Sequence, residues 1–293
     1  MKLLSYYDEK NNCLGVMHEG RIINLAAVHS KLSHDAFPRT MIELLGQGQE
    51  GLAKVRAVLE FAQENEVASL DPDDVHLLPP VLKPTKVIAL GRNYAAHAKE
   101  GGAEPPDYPM LFHKTATSLL GADGKIVIPP ISDKIDYEAE LAVIMGERCK
   151  NVPEEIALDY VAGYTVANDV TARDWQRRTS QFTSGKMLDT FGPLGPALVT
   201  KDEIADAGNL QIQSRLNGIT MQNGNTRDMI FSIPFLISYI SQISTLEVGD
   251  VILTGTPEGV GYARKPPVFM KAGDVIEIEI EQLGILRNNL IAA

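Results

Sequence analysis

The chain has 293 residues, 44% apolar and 22% charged, which leaves room for one large or two smaller soluble domains around a substantial core. No apolar run approaches the ~20 residues of a membrane helix, and the start Met1-Lys2-Leu3-Leu4-Ser5-Tyr6-Tyr7-Asp8 lacks the apolar stretch of a signal peptide. The net charge of −11 argues against nucleic acid and membrane as partners, the two isolated cysteines Cys13 and Cys149 make no disulfide framework, and a cytoplasmic location is expected.

Residues 3–7 and 14–18 read as strands around a polar turn over 8–12, with 21–25 following. Residues 38–63 carry helical spacing through Met41, Leu44, Leu45, Leu52, Val55 and Leu59, broken in two by Gly46 to Gly51. His18, His29, His34 and His76 form no i, i+4 pair and read as surface or core histidines. Pro79, Pro80 and Pro84 force extended backbone and mark a linker, dividing a small domain of residues 1–80 from residues 82–293.

A short buried strand over 86–90 runs into Gly91-Arg92-Asn93-Tyr94-Ala95-Ala96-His97-Ala98-Lys99-Glu100. Asn93 reads as an N-cap, and Gly101-Gly102 ends the helix after two turns. On that helix His97 and Glu100 are neighbours at i, i+3. A carboxylate beside an imidazole fixes its tautomer and raises its basicity, although exposed pairs of this kind are often incidental. The Gly- and Pro-rich run to Pro109 suits a mobile lid. Residues 110–114 form another strand, and 121–128 a hairpin arm.

Asp136-Tyr137-Glu138-Ala139-Glu140-Leu141 leads into Ala142-Val143-Ile144-Met145, a strand buried on both sides. Side chains alternate along a strand, so Glu138 and Glu140 share one face at its mouth. Two buried carboxylates repel and lose solvation unless a cation lies between them. A metal ion or ion pairing to Arg or Lys would satisfy them equally, and both readings stay open. Glu277, Glu279 and Glu281 differ, because they alternate with Ile276, Ile278 and Ile280 and need only a solvated face.

A helix is expected over 153–160, then a buried strand over 161–170 that ends on a third acid, Asp169. Arg173 and Gln176 follow at i, i+3 in a polar helix or turn, and a Gly-bounded loop over 184–193 carries Lys186. Asn217-Gly218 joins strands 211–216 and 219–222 through a type I′ turn. Ser232 caps a helix with an apolar stripe over 235–243. The strand 251–254 ends in Gly255-Thr256-Pro257-Glu258-Gly259-Val260-Gly261, where backbone can approach a ligand closely.

In this order, Gly91-Arg92-Asn93-Tyr94 with His97 and Glu100, then Asp136 to Leu141, Gly163 to Asp174, Lys186 and Thr254-Gly255-Thr256-Pro257 closely resemble the fumarylacetoacetate hydrolase family across roughly residues 82–293. Residues 1–80 resemble the small N-terminal domain of many bacterial members. The resemblance implies an α+β, mostly β fold: a mixed-β roll of the fumarylacetoacetase C-terminal-like type with a small α/β N-terminal domain, as a homodimer. It implies Mg²⁺ or Mn²⁺, with Ca²⁺ as a crystallographic substitute, on Glu138, Glu140 and Asp169. It gives His97 and Glu100 as a water-activating dyad, Lys186 as a catalytic charge stabiliser, and Arg92, Tyr94, Arg173, Gln176 and Thr256 as substrate-binding residues.

Three hard oxygen donors suit such an ion, and a small dicarboxylate or keto acid can chelate it. The expected reaction is hydrolysis of a C–C bond in a 2,4-dioxo acid of the acylpyruvate or fumarylpyruvate type, through an enolate. The alternatives are oxaloacetate decarboxylation or keto–enol isomerisation by the same site, and, more distantly, a non-catalytic metal-stabilised binding protein.

Overall fold

Strand Ala139–Met145 is buried at every residue and lies between Val161–Asn168 and Val251–Leu253 in the main sheet. Its residues serve two cores in alternation, with Leu141, Val143 and Met145 in one and Ala142 and Ile144 in the other. That is why no polar residue occurs after Glu140. The computed structural model describes residues 1–8 and 10–293; Glu9, within the expected 8–12 turn, lies outside the described residues.

The protein is α+β and mostly β. Its 12-stranded sheet runs through Ser69–Leu70, Arg21–Asn24, Asn12–His18, Lys2–Tyr7, Gly192–Thr200, Val161–Asn168, Ala139–Met145, Val251–Leu253, Val87–Gly91 and Met110–Lys114, with His76–Leu78 and Leu119–Leu120 attached beside this path. The strands of the first 80 residues therefore extend the same sheet, through Lys2–Tyr7 against Gly192–Thr200. Leu3, Val16, Val28, Leu44, Val55 and Val58 share a core with Ala142, Ile144, Leu198 and Leu253.

A five-stranded sheet packs on the other core in the order Ile219–Asn225, Gln211–Leu216, Val275–Ile280, Gly284–Ala292, Lys125–Ile128. Ile276, Ile278 and Ile280 are buried there, while Glu277 and Glu279 are half-buried and salt-bridged to Arg215. The Asn217-Gly218 turn has both residues at positive φ, 52° and 79°, as a type I′ hairpin requires.

Several local expectations change. Lys125–Ile128 is no hairpin arm but pairs parallel with Gly284–Ala292, a long-range match that has no local signature. Residues Glu154–Tyr160 form a 3₁₀ rather than an α-helix. The helical break over 46–51 narrows to Gln47, between Met41–Gly46 and Gly48–Glu64. Asn93 does not cap Ala95–Glu100; the N-cap is Tyr94, with no side-chain cap bond. The Asn93 amide instead donates to Phe231 O and Thr254 O and accepts the Phe231 N–H, tying three loops together beneath the site.

Candidate active site

Glu138, Glu140 and Asp169 come together at the mouth of the central strand pair, all buried, each with an oxygen within 4.8 Å of the others. The backbone sets this spacing. Ala139 faces Asn168 across the ladder, the Asp169 N–H donates to Glu138 O at 2.9 Å, and the Glu138 N–H donates to Asn168 Oδ1 at 3.0 Å.

Of the two explanations left open for these acids, ion pairing accounts for Glu138 and Asp169 but not for Glu140. Glu138 is bound by Arg173 Nη1 at 2.7 Å and by Lys186 Nζ, while Asp169 is bound by Lys186 Nζ at 2.6 Å and Lys114 Nζ at 2.7 Å. Burial opposes the charge on Glu138, but Lys186 and Arg173 outweigh it and hold the carboxyl below the usual range. Glu140 has no cationic partner among the described residues. Its Oε2 accepts the Gly255 N–H at 2.8 Å, and its buried Oε1 has no partner. Burial, then the Asp169 and Glu138 charges, pushes the Glu140 carboxyl well above the usual range.

An orphaned carboxylate oxygen beside two further carboxylates is the donor set of a hard cation. The charge balance agrees. Among the described residues, Asp136, Glu138, Glu140 and Asp169 face only Lys114, Lys186 and Arg173 as buried Lys or Arg cations, leaving the acids in excess. The triad therefore fits a divalent metal ion.

Above it lies a cavity of about 210 Å³, the scale of a short-chain acid. His97, Arg92, Glu138, Arg173, Gln176, Lys186 and Thr256 line it. His97 Nδ1 lies 2.8 Å from Glu100 Oε1, so the expected pair forms, and Glu100 Oε2 accepts the Gly259 N–H at 2.8 Å. Helix Ala95–Glu100 is thus docked on the glycine-rich loop, where Gly259 adopts φ 102° and a side chain would strike Met221 O. Thr256 Oγ1 accepts from Gln222 Nε2 at 2.7 Å. Tyr94 stands apart: it is buried, does not line the cavity, and its hydroxyl has no hydrogen-bond partner among the described residues.

Four residues that the sequence did not single out organise this site. Lys114 ends a strand as its only buried charge and holds both Asp169 and the Lys186 carbonyl. Asp136 accepts from Arg173 Nε and from the Gly261 and Tyr262 N–H groups, fixing the loop against the helix. Gln222 joins Ala139, Ser214, Thr256 and Pro257. Arg177 lines the cavity, with its guanidinium 4.3 Å from the Tyr262 ring centre. A lysine closing an apolar strand was the one local signal available; the other partnerships join segments far apart in the chain.

Comparison with known proteins agrees with this geometry. The family model described as fumarylacetoacetate (FAA) hydrolase C-terminal matches residues 86–291. Oxaloacetate tautomerase FAHD2A, mitochondrial, of Bos taurus is 46% identical over 274 residues, covering 93% of this chain and 84% of the relative, and its Homo sapiens counterpart matches to the same extent. The fumarylacetoacetate hydrolase from Exiguobacterium antarcticum aligns over 100% of both chains, with a TM-score of 0.84 and 34% identity. The maleylpyruvate hydrolase from Sphingobium sp. SYK-6, solved with manganese(II) and pyruvate, aligns over 100% of both chains with a TM-score of 0.81 and 31% identity.

The cytoplasmic location expected from composition is overturned by these relatives, which are named mitochondrial. An address is read by a receptor from a targeting segment, and the charge and apolar content of a folded domain do not report it. With a buried carboxylate triad beneath the His97–Glu100 pair, a family model matched over residues 86–291 and relatives at 46% identity, the chain belongs to the fumarylacetoacetate hydrolase family, a family of enzymes that includes hydrolases, isomerases and tautomerases.

Proposed function

We propose that the protein is a divalent-metal-dependent keto–enol tautomerase of oxaloacetate-type 2-oxo dicarboxylates. The observation that carries this reading is the His97–Glu100 pair at 2.8 Å, lining the same small cavity as Glu138 of the carboxylate triad. The naming of the 46% identical relatives as oxaloacetate tautomerases supports it over the hydrolysis expected from the sequence.

Glu138, Glu140 and Asp169 would hold the ion, with their oxygen set favouring Mg²⁺ or Mn²⁺. When bound, the ion acts as a Lewis acid toward the oxygen at C2. Glu100 holds His97 through Nδ1, so Nε2 is the ring nitrogen that exchanges a proton with C3 of the acid. Lys186, buried and kept charged by Asp169 and Glu138 against the cost of burial, stabilises negative charge developing on the C2 oxygen. From enol to keto, one proton leaves that oxygen and one arrives at C3. No carbon–carbon bond breaks and no water is consumed.

Hydrolysis of a 2,4-dioxo acid is the second reading, favoured by the maleylpyruvate hydrolase likeness, and it would turn the same dyad on water. The loss of enol absorbance from oxaloacetate, assayed with Mg²⁺ or Mn²⁺ beside CO₂ release and acylpyruvate cleavage, separates the readings. Enol loss without CO₂ or two acid products is expected. Two acid products from an acylpyruvate, with oxaloacetate ketonising at the buffer rate, would reverse the assignment. A homodimer belongs to the same proposal, and sedimentation of the full chain tests it.

A further inference from the structure

A dicarboxylate brings a second negative charge into the cavity, and most cations there are already committed. Arg173 donates through Nε to Asp136 at 2.8 Å, and through Nη1 it meets Glu138 at 2.7 Å and Gln176 at 3.1 Å; only Nη2 is without a partner. Its charge is thus balanced by two protein carboxylates, and Lys186 is held in the same way by Glu138 and Asp169. Two guanidinium groups lining the cavity remain, those of Arg92 and Arg177. Neither side chain forms a hydrogen bond or an ion pair among the described residues.

The fold fixes the side chain of one and the backbone of the other. Arg177 follows Arg173 by one turn, its N–H on the Arg173 carbonyl at 3.2 Å, and both guanidinium groups lie against the Tyr262 ring at 4.3 and 4.4 Å. Arg92 sits at φ 59°, a left-handed conformation rare for a residue with a side chain, at the exit of strand Val87–Gly91. The cavity passes from buried Glu138 and Lys186 through half-buried Arg92 to exposed Arg177, so both free cations lie outward of the triad.

We infer that Arg177 and Arg92 form the site for the distal carboxylate of the substrate, and that Arg173 is a positioning residue that serves Asp136 and Glu138 instead. The inference rests on the 2-oxo dicarboxylate reading above. It makes the enzyme selective for dianionic over monoanionic 2-oxo acids by charge at the mouth, independently of the chemistry at the triad.

The test compares Arg177→Gln and Arg92→Gln with the parent, using enol oxaloacetate and the monocarboxylate enol phenylpyruvate. Arg178→Gln is the control for net charge, because Arg178 stacks on Trp175 at 3.7 Å and does not line the cavity. Each of the two variants is expected to raise KM for oxaloacetate about tenfold with kcat nearly kept, and to leave KM for phenylpyruvate unchanged. Calorimetric binding of malate and lactate in the presence of Mn²⁺ reads the same subsite without turnover, and malate alone is expected to weaken by about tenfold. A parent enzyme inert toward both enols would sink the tautomerase reading while the malate-to-lactate comparison still decides the subsite. An unchanged malate-to-lactate ratio in both variants, or an equal loss in Arg178→Gln, would overturn the subsite.

Discussion

Glu100 joins two parts of the site with one carboxylate: Oε1 lies 2.8 Å from His97 Nδ1, and Oε2 accepts the Gly259 N–H at 2.8 Å. The same group therefore orients the imidazole and closes the helix onto the glycine-rich loop. Glu100→Gln keeps the size but cannot accept both donors at once. Turnover is expected to fall by about 10²–10³ while Mn²⁺ affinity stays within about twofold. Titration calorimetry and steady-state rates measured together decide it, and an equal loss of both would sink the dyad.

Glu140 is the triad member without a cation, and substitution there separates metal binding from folding. In Glu140→Gln the amide oxygen can still accept the Gly255 N–H, while its NH₂ can donate to a neighbouring carboxylate. In chelator the variant is expected to melt about 2–4 °C above the parent, and to lose the stabilisation that added Mn²⁺ gives the parent. A variant that still gains Tm with Mn²⁺ as the parent does would remove Glu140 from the ligand set.

Lys114 is fully buried, and its pKa is lowered by burial against the pull of Asp169. Lys114→Met strands Asp169 beside a single cation and leaves the Lys186 carbonyl without its donor. Denaturant unfolding is expected to show a loss of about 3–5 kcal/mol. Lys114→Met combined with Asp169→Asn should recover part of that loss. Strict additivity of the two changes would show that the pair is not coupled.

Burial, then the Asp250 and Glu247 charges, pushes the Cys149 thiol up to about 11. At pH 8 iodoacetamide is expected to modify it at least about a hundredfold more slowly than an unperturbed thiol. The folded state keeps a proton that the unfolded chain releases near 9.0, so stability falls as pH rises from about 9 to 11. Cys149→Ala should flatten that limb of the stability profile. An unchanged slope would assign it to other groups.

Deleting residues 1–80 would bare the edge of Gly192–Thr200 and the apolar side chains of Leu194, Leu198 and Leu253. The truncated chain is expected to aggregate on expression. A soluble, monodisperse fragment with the parent's Mn²⁺ affinity would instead show that the two segments fold separately.

Much of this protein is written locally. The period-2 run from Ile276 to Glu281, the Asn217-Gly218 turn and the doubly apolar strand after Glu140 each carry their structure in a few residues. The three strand-end acids and the His97–Glu100 spacing were legible for the same reason, because backbone periodicity alone puts Glu138 beside Glu140 and His97 beside Glu100. Gly192–Thr200 was not read as a strand, since Pro193 and Pro196 lack the donors of a central strand, yet it lies between Lys2–Tyr7 and Val161–Asn168.

Partner choice across the chain was decided only by the tertiary structure. Asn93 looked like a helix cap and proved to be a clamp on Phe231 and Thr254, because an amide bonds to whichever donors and acceptors the fold delivers. Arg173 carried no local sign of its pairing with Asp136 and Glu138, and Arg177 gained its stacking partner Tyr262 from far along the chain. Residue type and spacing determine what a side chain can do. Which charges are already answered depends on segments brought together from far along the chain, and among the described residues that balance leaves Glu140 without a cation and Arg177 without a carboxylate partner.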